Sequence, residues 1–177
     1  MFLIPGPFIA LLTFPGVIVH EFAHQLFCRL TGTAVFDVCY IRFGNPAGYV
    51  THEPPRTAMQ HLLIAVGPFF VNTVLGALIG APAAIPVLTL DAGSPLDYIL
   101  MWLAVSIAMH AFPSTGDAKS IWAMVKKAET PAGVKLVATP IVGLIYAGAI
   151  GSFVWLDAIY GIGVTIGIPT ALVHLFA

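Results

Sequence analysis

The sequence predicts an all-α polytopic membrane protein with about 4–5 transmembrane helices and a small β-hairpin between the first and second core helices. Of its 177 residues, 59% are hydrophobic and only 8% are charged, whereas about a quarter of the residues in soluble domains are charged. Long segments without formal charge alternate with short polar loops. No internal repeat or low-complexity linker divides the chain, so we expect one membrane-embedded domain over 1–177, with a core at about 15–122 and accessory helices at about 134–177.

The first core helix is expected to be broken. Residues 1–19 carry no formal charge, but several prolines and the Pro15-Gly16 pair interrupt this apolar stretch. Proline is favoured in the first turn of a helix, and glycine is favoured just after its end. The second part of this helix is therefore predicted to begin near Pro15 and to end at Gly32.

A β-hairpin is predicted directly after this helix. Residues 35–43 are rich in β-branched and aromatic side chains, residues 44–48 form a turn cluster, and a second short strand follows at 49–51. Two interpretations remain open at this point. The hairpin is either an ordinary surface element or an edge strand that pairs with an extended peptide substrate.

The distribution of basic residues predicts how the chain is oriented. Further spans are expected at 57–90, from Tyr98 to about Phe112, at 136–156 and at 158–177. The seven Lys and Arg residues fall in alternate loops: Arg29, Arg42, Arg56, Lys119, Lys126, Lys127 and Lys135. By the positive-inside rule these loops are cytoplasmic and the N-terminus is outside. We expect an integral protein of the lipid bilayer, in a prokaryotic inner membrane, with its active site towards the cytoplasm and no surface for nucleic acid.

The chemistry centres on the H-E-x-x-H sequence at His20-Glu21-Phe22-Ala23-His24. Residues four apart lie on one helix face, so the two histidines can bind one zinc ion per chain. Glu21 lies about 100° round the helix, where it can act as general base towards a zinc-activated water. Three ionisable groups are costly in an apolar setting and indicate function.

A catalytic zinc needs a third protein ligand, which we predict to be Asp117. The turn after Pro113 brings this carboxylate to the cytoplasmic side on which the H-E-x-x-H helix ends. A purely structural alternative is equally open, because Ser114-x-x-Asp117 is also a helix-capping pattern that needs no metal. The competing ligands are His110, His52, Glu53 and His61.

Asn72 is a second polar group in an apolar helix, close to Gly67-Pro68. A buried amide must find hydrogen-bond partners. Either helix–helix hydrogen bonds or binding of the substrate backbone would satisfy it, and the glycine would permit close helix approach.

Together these features resemble the site-2 protease family of intramembrane zinc metalloproteases. The resemblance covers roughly residues 15–122 and rests on three motifs: H-E-x-x-H at 20–24, a Gly-Pro pair with Asn in 67–72, and a Pro-to-Asp turn in 110–117. The Gly-Pro motif is one residue longer than the family's usual form. The Pro-to-Asp turn has His110 in place of Asn, fewer residues between Pro113 and Asp117, and Ala118 in place of Gly. The resemblance implies a divergent member in which Asp117 is the third ligand, Asn72 and the hairpin hold an unwound substrate, and His110 stabilises the oxyanion.

The leading functional hypothesis is a zinc endopeptidase that hydrolyses peptide bonds in or near transmembrane segments of other membrane proteins. The main alternative is a catalytically silent membrane zinc protein that binds a partner helix. Glu21 separates the two, because a structural zinc site has no use for a base beside its ligands. A transporter with membrane-buried His and Asp residues is a third possibility, which the short chain and the H-E-x-x-H motif disfavour.

Overall fold

The computed structural model describes residues 5–176, apart from the side chain of Phe176, so the ends of the first and last predicted spans lie outside the described residues. Helices dominate, with one short two-stranded sheet. The elements are α1 (Gly6–Leu12), α2 (Phe14–Leu30), β1 (Val35–Cys39), β2 (Tyr49–His52), α3 (Ala58–Leu88), α4 (Pro95–Met109), α5 (Thr115–Val125), α6 (Ala132–Gly151), a 3₁₀ turn (Ser152–Val154), α7 (Leu156–Ile162), a π turn (Gly163–Gly167) and α8 (Ile168–Phe176).

The first predicted helix is broken, as the prolines indicated. α1 and α2 meet at Thr13 with a bend of 90°. Proline stands in the first turn of α2, and Gly32 adopts a left-handed φ of 71° shortly after the helix ends. This is the conformation in which glycine commonly terminates helices.

Within residues 5–176, three helical segments are long and apolar enough to cross a membrane: Ala58–Leu88, Ala132–Val154 and Leu156–Leu175. The bent α1–α2 pair would make a fourth. The predicted third span is present as α4, which begins and ends about three residues earlier than expected and has 15 residues. It extends about 22 Å, less than the roughly 30 Å of a bilayer core. The fold is consistent with a membrane protein, and its orientation stays a prediction.

The predicted hairpin is present between α2 and α3. β1 and β2 are antiparallel, with Val38 opposite Val50 and Cys39 opposite Tyr49. The first strand ends at Cys39, earlier than the sequence pattern suggested, because residues 40–48 form the connecting loop. This loop returns the chain towards α2.

Small residues let the helices around α2 approach closely. A Cβ added at Gly67 would lie 2.4 Å from the Phe27 ring, and one added at Gly76 would lie 2.7 Å from Cβ of Ala108. These contacts place α3 against both α2 and α4, as expected for glycines at membrane helix interfaces. A further core forms where α5 packs between α3 and α6.

Candidate metal centre

α2 presents the side chains of the H-E-x-x-H sequence towards the centre of the fold. His20 and His24 lie one turn apart, and their rings approach edge to face with centroids 4.9 Å apart. His24 and Glu21 are buried, and His20 is partly buried. The helical spacing therefore brings both imidazoles to one face, as the sequence predicted.

Backbone carbonyls from two other helices orient these imidazoles. Nδ1 of His20 lies 2.7 Å from the carbonyl oxygen of His110, and Nδ1 of His24 lies 2.9 Å from that of Ile64. A carbonyl oxygen only accepts hydrogen bonds, so each Nδ1 must carry the proton. In a neutral imidazole this leaves the Nε2 lone pair free for a metal.

The position of Asp117 fits both interpretations that the sequence left open, a helix cap and a metal ligand. Its Oδ2 accepts hydrogen bonds from the Ser114 N–H at 2.8 Å and from the Ser114 hydroxyl at 2.6 Å, which caps α5. Its Oδ1 points elsewhere and lies 3.7 Å from Nε2 of His24. One carboxylate oxygen thus caps the helix, and the other faces the histidines.

The donor set fits a zinc ion. One ligand atom from each of His20, His24 and Asp117 lies within 4.8 Å of the others, and no further group of this kind occurs among the described residues. Tetrahedral zinc with bonds of about 2.0 Å separates its N and O ligands by about 3.3 Å, close to the observed 3.7 Å. With the proton on Nδ1, the Nε2 atom of His24 and the carboxylate face each other, and a cation between them would bind both.

Glu21 lies against the hairpin loop. A Cβ added at Gly48 would be 2.6 Å from Cγ of Glu21 and 3.0 Å from its Oε1, so only glycine fits beside this side chain without displacement. No hydrogen bond described for residues 5–176 involves the Glu21 carboxylate. It is therefore held by packing and remains available to accept a proton.

Two cavities meet at Glu21 and His20. The first cavity, of about 540 Å³, also includes residues of the loop before β2, the end of α4 and the start of α7. The second cavity, of about 350 Å³, extends past His24 and Asp117 along β2. Both are lined by His20, Glu21, Pro46, Gly48 and Ser114. A groove thus passes the candidate metal centre on both sides.

The hairpin presents β2, rather than β1, to this groove. Tyr49, Val50 and His52 line the second cavity, whereas β1 lines a separate surface depression. The Tyr49 hydroxyl donates a hydrogen bond to Asp37 at 2.8 Å. That bond and the negative charge of Asp37 raise the pKa of Tyr49 above its ordinary value, so the phenol stays protonated.

His110 contributes to the site through its backbone as well as its ring. Its Nε2 lies 2.8 Å from the hydroxyl of Thr13, which itself donates to a carbonyl, so Nε2 is the donor. His110 lines the first cavity, and its backbone carbonyl accepts a hydrogen bond from Nδ1 of His20. His110 is not part of the ligand group, and its role at the oxyanion stays a prediction.

Asn72 lies outside both cavities and is fully buried. Its Nδ2 is within hydrogen-bond distance of three carbonyl oxygens, those of Gly16 (3.2 Å), Ile107 (3.0 Å) and His110 (3.3 Å). These contacts join α2, α3 and α4 beneath the metal centre. The NH₂ group thus makes the expected helix–helix contacts, whereas Oδ1 is buried without a described hydrogen-bond partner, and the substrate-binding role stays a prediction.

Two of the other proposed ligands lie farther along the groove, whereas the third, Glu53, pairs with Arg56 at 3.7 Å. His61 contacts the Ser120 hydroxyl at 3.1 Å, and Nδ1 of His52 lies 2.8 Å from the Glu53 carbonyl oxygen. Both histidines line the second cavity. Sequence reasoning missed Gly48 and Asp157, although a glycine in a turn cluster and a lone acid in a long apolar segment were visible signals.

Comparison with known families agrees with this geometry. The model of the family described as "Putative zincin peptidase" matches residues 13–130, which is more than half of the chain and includes all three candidate ligands. Neither the curated proteins nor the solved structures gave a match. The family description implies a zinc-dependent peptidase.

Proposed function

The chain belongs to the family described as "Putative zincin peptidase". From this membership, together with helices long and apolar enough to cross a membrane and the resemblance of its motifs, we propose that it is an intramembrane zinc endopeptidase of the site-2 protease type. Its substrate would be a transmembrane protein, cut at a peptide bond in or near an apolar segment. One observation carries the proposal: where two cavities meet, the Glu21 carboxylate, which has no described hydrogen bond, lies beside the possible metal ligands His20, His24 and Asp117.

The chain's own residues divide the work of hydrolysis. His20 and His24 would hold the ion through Nε2, and Asp117 would hold it through Oδ1. Bound zinc polarises the scissile carbonyl and lowers the pKa of water. Glu21 accepts the proton of the attacking water and delivers it to the leaving nitrogen as the C–N bond breaks. The carbonyls of His110 and Ile64 keep the two imidazoles in the metal-binding tautomer.

β2 supports the intramembrane part of the proposal. A helical peptide bond is shielded and already hydrogen-bonded, so a protease must hold its substrate extended. β2 borders the groove, and its ladder partner β1 lies on the far side. An extended substrate could add to this edge by main-chain hydrogen bonds, with its scissile carbonyl near Glu21.

Hydrolysis by protein reconstituted into vesicles tests the proposal. We expect wild type to cut a panel of synthetic single-span apolar peptides, with new termini identified by mass spectrometry. A chelator should stop the reaction, and added zinc should restore it. Glu21→Gln is the matched control, because it keeps the volume and fold but cannot accept the proton. Absence of any cleavage by zinc-loaded wild type would favour the silent zinc protein that binds a partner helix.

A further inference from the structure

The chain between α6 and α7 is irregular. α6 ends at Gly151, a 3₁₀ turn follows, and Trp155 adopts a left-handed φ of 64° before α7 begins. This conformation is unfavourable for a non-glycine residue. In a membrane, irregular backbone is tolerated only where protein buries it or where it lines a cavity.

This break lies beside the candidate metal centre, because Ser152 and Asp157 line the first cavity with His20. Preceding it, α6 lines an apolar cavity together with Val66 of α3. Following it, the Tyr160 hydroxyl lies 2.7 Å from that of Thr73, and Thr165 packs against Gly80. The segment before the break thus lies near the first half of α3, and the segment after it contacts the second half. The break therefore lies beside the middle of α3.

The break brings one carboxylate to the first cavity. Asp157 is the only Asp, Glu, Lys or Arg after Lys135, and it lines this cavity with His20 and Glu21. Its described hydrogen bond is local, from the Ala158 N–H to Oδ1 at 2.9 Å. No Lys or Arg lines the cavity, and the ion pairs among the described residues do not include Asp157.

We propose that Asp157 is a specificity-determining residue whose carboxylate binds a Lys or Arg side chain of the peptide substrate close to the scissile bond. The inference rests on the proposed function, because it places the substrate in the first cavity. Glu21 lies beside the zinc ligands, so Asp157 is the carboxylate of this cavity that the proposed mechanism does not use, and no Lys or Arg lines the cavity to balance it. Charge complementarity therefore favours a cationic substrate group over a neutral or anionic one.

Binding to a variant that cannot cut the peptide tests this directly. Three apolar peptides would differ at one position beside the bond to be cut, carrying Lys, Gln or Glu. Fluorescence anisotropy would measure their Kd for zinc-loaded Glu21→Gln protein in detergent. Walking the position along the peptide locates the subsite. We expect the Lys peptide to bind about tenfold more tightly than the Gln peptide at one position.

Two further substitutions in the Glu21→Gln protein test whether Asp157 causes the preference for the Lys peptide. Asp157→Asn should abolish the difference between Lys and Gln peptides, and Asp157→Lys should make the Glu peptide the tightest ligand. Asp91→Asn is the matched control, because it removes an exposed carboxylate that lines none of the cavities described here. It should keep the Lys preference.

Three outcomes would overturn the proposal: no Lys preference at any position, a preference that survives Asp157→Asn, or equal weakening of all three peptides. The last would mean that Asp157 only shapes the break. Since binding is measured without cleavage, a failed proposed function would appear separately, as wild type that binds these peptides but cuts none of them.

Discussion

Asp117→Asn separates the two functions of one side chain. In the wild type, Oδ2 caps α5 through Ser114, and Oδ1 faces Nε2 of His24 at 3.7 Å. An amide keeps one oxygen for the cap and can place its NH₂ group towards His24, where it would donate a hydrogen bond. The cap and the new bond are each worth about 1 kcal/mol. The metal-free variant should therefore be at least as stable as metal-free wild type.

Zinc binding should behave in the opposite way. The variant loses the anionic ligand and occupies the His24 lone pair, so zinc affinity should fall more than about 100-fold. At a zinc concentration of 100 times its Kd, wild type gains about 2.7 kcal/mol of stability. The variant should gain almost nothing at that concentration.

Thermal unfolding in detergent, with and without zinc, measures both effects on the same samples, and elemental analysis gives the zinc content. Asp117→Ala should lose both the cap and the zinc. A variant Asp117→Asn that binds zinc like the wild type would show that Asp117 only caps α5. Loss of zinc in His110→Ala alone would reverse the ligand assignment.

The remaining predictions concern the second ligand, the hairpin and the orientation. Wild type should hold about one zinc ion per chain, and His24→Ala should lose it. If elemental analysis finds the full zinc content in His24→Ala, this metal site is excluded. Gly48→Ala should keep zinc but lower hydrolysis by up to about 100-fold, because the added methyl group displaces Glu21. Gly133→Ala is the control and should hydrolyse at the wild-type rate, since no atom lies within 4 Å of its added Cβ. Equal rates in the two variants would show that the loop does not position the base. A cysteine at Gly133 should be labelled from the cytoplasm and one at Gly93 from outside, and reversed labelling would contradict the predicted orientation.

Local patterns predicted the features that depend on neighbouring residues. The four-residue spacing of His20 and His24 requires only helical geometry to bring the rings together. Ser114-x-x-Asp117 predicted the cap that the structure contains, and the turn cluster predicted the hairpin. Each of these signals lies within a few residues of the chain, so tertiary packing had little influence on it.

Features that depend on distant packing could not be predicted in this way. Any residue has a carbonyl, so nothing in the sequence marked Ile64 or His110 as the partners of the imidazoles. Nothing in the sequence indicated which three carbonyl oxygens the NH₂ group of Asn72 contacts. Asp157 was visible as a lone acid, but only the break after α6 places it at the first cavity.

The central claim is that Glu21 acts as a base beside a zinc ion held by this chain. The most direct test measures zinc content and peptide hydrolysis on one preparation of Glu21→Gln, beside wild type. The predicted result is equal zinc content with hydrolysis reduced by several orders of magnitude, because the substitution removes only proton acceptance. Unchanged hydrolysis at equal zinc content would contradict it.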